Sequence, residues 1–285
     1  MRQGLKREVN GARFTHLRAV LTKRGSVLLM LCVAASATLS ASEPQLNDIV
    51  LAGERLDSMI AETLKHGTLP RRADPAVADV LGRMSDVQVL AQHPFGPADF
   101  ETLVHVCHVP LSAMTRYASF GWESQSEAIT DPAEMLATMQ QVFLENSSRF
   151  RDELVLLAPV LVRCMTIQLS LLATRLDVLA DEEWTDVRLN GLRQTKVGAE
   201  ALYLGGLSTL ADERLAAADR ERLRKELVVA ATPMSRTLPV AARLRVLASV
   251  IQVEKSADSD ARRDLEIIRH TFSDARCDGL CAIGI

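Results

Sequence analysis

Three things are scarce in this chain of 285 residues: strand signals, catalytic motifs, and acidic residues among its first 41 positions. No stretch sustains apolar–polar alternation, and no Asn-Gly or Asp-Gly pair joins two such stretches, which excludes a sheet-based fold. No Gly-x-Ser-x-Gly elbow, phosphate-binding loop or dinucleotide fingerprint occurs, so none of the strongly signalled enzyme classes applies. A nucleophile–base pair assembled from distant positions leaves no such local trace. Internal repeats are absent too: the two Asp-Pro-Ala segments at 74–76 and 131–133 share a start device, and their following residues do not align.

Residues 1–41 hold one acid, Glu8, against Arg2, Lys6, Arg7, Arg13, Arg18, Lys23 and Arg24. An uncharged apolar run from Ser26 to Ala35 follows, then small residues through Ala41. A basic start, a short apolar core and a small-residue exit are the parts of a secretory signal peptide. Cleavage is expected after Ala41, with Ala37 as the second choice. The alternative is an uncleaved anchor through residues 26–42, which falls short of the about 20 apolar residues of a comfortable span. Arg outnumbers Lys 27 to 6, a usage typical of GC-rich genomes, so the expected location is the bacterial envelope, periplasmic or secreted. The leader carries +6 of a chain whose total is −3, leaving −9 for residues 42–285. A domain of that sign has no general attraction for nucleic acid or anionic lipid, so no nucleic-acid partner and no stable membrane span after cleavage are expected.

What is present is helix punctuation. The reading is an all-α, multi-helix array of about eight or nine helices, from period-3.6 stripes and repeated caps. The first helix starts near Ser42 and stops at Gly67. Asp74-Pro75 opens a second that runs on to Pro94, by a carboxylate cap followed by proline where its missing N–H costs nothing. A third spans about 98–117, with a kink expected at Pro110. Asp131-Pro132 opens a fourth. The fifth, Leu154–Leu179, is apolar nearly all round and reads as the central core helix, not a membrane span, because Arg163, Gln168 and Arg175 interrupt it. Helices over roughly 182–210, 212–231, 239–255 and 258–275 complete the set. By domains, 1–41 is the leader, 42–118 an N-terminal helical part, 119–130 a connecting loop, and 131–285 a C-terminal part continuous with the first or separate from it.

Cys107, Cys164, Cys277 and Cys281 remain after cleavage, and an exported chain with an even number is expected to pair them. Of the three connectivities, the local one is favoured: Cys107 with Cys164 and Cys277 with Cys281. The competing readings are buried free thiols for the helical pair and a redox or metal site for the C-x3-C, whose tail reads as open and flexible. Glu101, His105 and His108 fall at i, i+4 and i+7, on one helical face opposite the apolar one. Two imidazoles and a carboxylate suit a divalent transition metal, yet the spacing matches no established motif. A solvated helix face explains them as well. Gly191, Gly198 and Gly205 recur every seven residues, the mark of close helix approach or of a groove. Arg163, inside the most apolar helix, requires either an internal carboxylate or an anionic ligand. Asn146-Ser-Ser148 fits the N-glycosylation pattern. No cofactor is indicated. The function expected is a non-enzymatic binding or structural protein of the cell envelope, the alternative a metal-binding protein or metalloenzyme using Glu101, His105 and His108.

Overall fold

One helix belongs to both halves of the molecule. In the computed structural model, which describes residues 44–126, 129–176, 179, 183–277 and 279–283, the helix Arg151–Leu176 presents two apolar faces. Leu156, Leu157, Val160, Cys164 and Leu171 enter one core; Ala158, Val162, Met165 and Leu169 enter the other. That is why its apolar residues run nearly all round instead of forming a stripe. By length and composition this helix alone among the described residues is apolar enough to cross a membrane, but 72% of its apolar window is buried inside the protein.

The N-terminal core is built by α1 (Pro44–Leu64), α2 (Pro75–Met84), α3 (Val87–Gln92) and α4 (Phe100–Ala118). A short α5 (Trp122–Ser126) and α6 (Pro132–Arg149) lead into the shared helix, α7 (Arg151–Leu176). The C-terminal core is built by α8 (Asp186–Leu210), α9 (Ala217–Thr237), α10 (Val240–Glu254) and α11 (Ser259–Asp274), followed by a 3-10 turn at Leu280–Ala282. The described residues are all-α, with nine helices of seven residues or more and no strand. The connection at 119–130 does not divide the two cores, since α7 lies beyond it and serves both.

The local chemistry that starts these helices matches the sequence. Asp74 accepts a hydrogen bond from the Ala76 amide at 2.8 Å and Asp131 from that of Ala133 at 3.0 Å, each with proline at the first helical position. Asp258 does the same for Ala261 at 2.8 Å. Gly67, with φ of 68°, supplies the left-handed residue that lets the chain leave α1. One boundary differs: the helix expected to run from Pro75 to Pro94 breaks at Ser85-Asp86. There Asp86 accepts from the Gln88 amide at 2.9 Å and starts α3 anew. Residues 1–43, on which the expected leader and its cleavage point fall, lie outside the described residues.

Candidate functional site

The polar groups buried beside α7 find partners within the protein, although Glu153 Oε2 is buried without a hydrogen bond among the described residues. Arg163 forms a two-pronged pair with Glu226 of α9, at 2.7 and 3.0 Å, with side chains 17% and 6% exposed. Of the two partners the sequence allowed, an internal carboxylate or an anionic ligand, the structure shows the carboxylate. Glu153 at the start of α7 is buried, and its Oε1 accepts from Arg71 Nε at 3.1 Å and the Arg72 amide at 2.6 Å. Arg72 also reaches Asp219 at 3.3 Å, tying the N-terminal half to α9. Tyr117, fully buried, donates to the Pro70 carbonyl at 2.9 Å; burial and then the Glu153 charge push its phenol far above the usual range.

Both cysteine pairs stand at disulfide distance, in the connectivity expected: Cys107 of α4 with Cys164 of α7, and Cys277 with Cys281. The tail carrying the second pair is not open. Leu280 is 4% exposed and Cys281 wholly buried, although Cys277 stays partly accessible. Two cations hold this segment by its carbonyl groups. Lys196 of α8, 6% exposed, donates to the Ile283 carbonyl at 2.6 Å and reaches that of Cys281 at 3.5 Å. Arg243 of α10, 7% exposed, donates to the Ala275 carbonyl just past α11. Burial, then the neighbouring Arg193 charge, lowers the Lys196 pKa. Sequence reasoning missed this clamp because acceptors 87 and 32 positions away leave no local pattern.

Glu101, His105 and His108 lie exposed on α4, on the face their spacing predicted. Among the described residues no group of three His, Cys, Asp or Glu side chains is placed to hold a metal ion, so nothing joins these three into a centre. Asn146 is 5% exposed, and its amide donates to the Ala118 and Phe120 carbonyls at 3.0 and 2.9 Å. It anchors the 119–130 connection and is closed to glycan attachment. At two members of the glycine stripe, Gly191 and Gly205, there is no close helix contact. A methyl group added at Gly191 or Gly205 meets nothing within 4 Å, whereas at Gly206 it meets Leu227 of α9 at 3.0 Å. Close approach occurs instead at Gly53 of α1, where the added carbon falls 2.3 Å from Val109 Cγ1 on α4.

Gly205 faces a cleft. Between α6, α7 and α8 lies a groove of about 720 Å³, walled by Leu144, Leu154, Val155, Ala158 and Leu202, with Gly205 leaving its floor bare. Arg151, Asp212 and Arg214 stand at its polar end. Arg214 binds Asp212 with two contacts of 3.0 Å, and Arg151 lies 4.0 Å from the same carboxylate. Hydrogen bonds from the Arg214 side chain, and then from its backbone N–H, hold the Asp212 carboxyl at about 2. Alongside runs α6, an 18-residue helix that buries only Val142 and Asn146 and leaves Leu136, Phe143 and Leu144 exposed at 52%, 39% and 69%. Apolar walls with charges at one end suit an amphipathic segment laid lengthwise. No protein-family model, curated protein or solved structure matches this chain.

Proposed function

We propose that the chain is an exported, non-enzymatic binding protein of the cell envelope, and that its partner docks along α6 and the cleft beside it. The carrying observation is α6 itself. Eighteen residues of amphipathic helix contribute two buried side chains, while three large apolar ones stand in water next to an apolar groove. Of the three, Leu144 lines the groove itself, and exposed apolar surface beside an apolar cleft marks interaction sites. The two cysteine pairs support the export part, since structural disulfides persist in oxidising compartments. The basic and apolar pattern of residues 1–41 points the same way.

The test places a photo-crosslinking residue at Leu144, and a control at exposed Lys225 on α9, in the full chain expressed in intact bacterial cells. The expected result is an adduct from position 144 alone, lost when Gly205→Leu fills the groove, on a chain recovered from the envelope fraction without its first residues. Absence of an adduct, or one indifferent to Gly205→Leu, overturns the docking surface. Recovery of the full-length chain from the cytosol overturns the export.

A further inference from the structure

A second, smaller pocket lies where α4, α7 and α8 meet, on the side of α8 facing the start of α4. Its wall is Phe100, Leu172, Leu176 and Leu192, closed on one side by the half-buried ring of Trp184. Trp184 directly precedes Thr185, which caps α8 by accepting from the Arg188 amide at 3.4 Å. The volume is about 260 Å³, just below the roughly 300–1,000 Å³ that hold drug-sized ligands, so a single ring or short branched chain fits.

Three charged side chains reach this pocket, and they are not equivalent. Arg188 is committed to Glu183, whose carbonyl it meets at 2.7 Å and whose carboxylate it meets at 3.5 Å. Arg175 rests its guanidinium over the Phe100 ring at 5.5 Å and has no carboxylate partner among the described residues. Glu101 lines the same pocket and has no cationic partner among them either. Among the described residues, then, a cation and an anion without charged partners share the mouth of one small apolar pocket without pairing with each other. A plain carboxylic acid engages Arg175 and brings its charge against Glu101; a plain amine does the reverse. A ligand carrying both charges next to an apolar body satisfies both.

We propose that this pocket binds a free apolar α-amino acid as its zwitterion, the carboxylate on Arg175, the ammonium on Glu101, and the side chain against Trp184 and Leu192. The site is separate from the α6 cleft, and its occupation does not depend on the docking proposed there.

Trp184 supplies the readout, because the chain has two tryptophans and Trp122→Phe leaves it alone. L-Phenylalanine, L-leucine, 3-phenylpropanoate and 2-phenylethylamine are titrated into the Trp122→Phe protein and followed by fluorescence, with calorimetry on the unaltered chain as a check. Saturable binding of the amino acids is expected, with both singly charged analogues weaker by tenfold or more, since each loses one charge-assisted contact worth about a factor of ten. Arg175→Gln should remove the preference over 2-phenylethylamine alone and Glu101→Gln that over 3-phenylpropanoate alone; both side chains are exposed, so thermal unfolding should confirm an unchanged fold. If 3-phenylpropanoate binds as tightly as phenylalanine, the site is for carboxylates and the inference fails. If none of the four probes saturates by about 10 mM, there is no such site.

Discussion

Removing the two cysteine pairs one at a time should produce unequal losses, and the inequality follows from chain geometry. A cross-link stabilises chiefly by denying the unfolded chain its freedom, by an amount that grows with the logarithm of the loop it closes. Cys107 and Cys164 are 57 positions apart, which corresponds to about 4 kcal/mol; Cys277 and Cys281 are 4 apart, which corresponds to about 2 kcal/mol. The comparison is between Cys107→Ala/Cys164→Ala and Cys277→Ala/Cys281→Ala, each leaving the other pair intact, because a reductant would open both together. Cys107, Cys164 and Cys281 are all nearly inaccessible, so a small packing cost accompanies both variants and does not create the difference. Urea unfolding followed by far-UV circular dichroism gives the two losses. The variant lacking the long-range pair should also show the steeper denaturant dependence, because its unfolded chain exposes more surface. Against a total of about 5–15 kcal/mol for an ordinary domain, 4 kcal/mol is a large share. Equal losses, or a larger loss from the tail pair, would refute the reasoning and show that docking of the tail outweighs the loop term.

Two further outcomes follow from the same packing. The chain's two tyrosines, Tyr117 and Tyr203, are both buried, both donate to backbone carbonyls at 2.9 Å, and both have phenols raised well above 10.0 by burial. The unfolded chain therefore releases these protons first as pH climbs past 10, and stability that is intact below pH 10 declines above it. Tyrosinate absorbance should rise only together with loss of helical ellipticity; a smooth titration near pH 10 in folded protein would contradict the burial. Among glycines, Gly191→Ala and Gly205→Ala meet open space and should each stabilise by up to about 1 kcal/mol, through helix propensity. Gly53→Ala drives a carbon to 2.3 Å from Val109 and should destabilise by about 1–3 kcal/mol, measured by thermal melts of the three variants.

The helices were legible because their signals are local. Asp74-Pro75 and Asp131-Pro132 carry cap and first-turn proline side by side, and the apolar girdle of α7 announces a helix covered on every side. The break at Ser85-Asp86 was hidden because the apolar spacing of Val80, Leu81, Met84 and Val87 continues across it; only the carboxylate before Val87 marks a restart. Gly205 lines a groove, and close approach falls beside it for a rotational reason: Gly206, one residue or about 100° round the helix, meets α9, and the heptad alone does not say which way a neighbour lies. Glu153, Lys196 and Arg243 carry no local sequence signal, since only the distant carbonyls and amides they bind distinguish them. For the site, Glu101 was singled out for its histidine neighbours, while its place beside Trp184 and Arg175 depends on α7 and α8 coming together.

The clamp on the C-terminal segment also orders events in time. Lys196 and Arg243 are synthesised before the carbonyls of Ala275, Cys281 and Ile283 that they bind. Until then both cations face a half-built core with no acceptor, and an uncompensated charge resists burial. The C-terminal core is thus completed only when residues 275–283 join it, so that its two most deeply placed cations depend on the last described stretch of the chain.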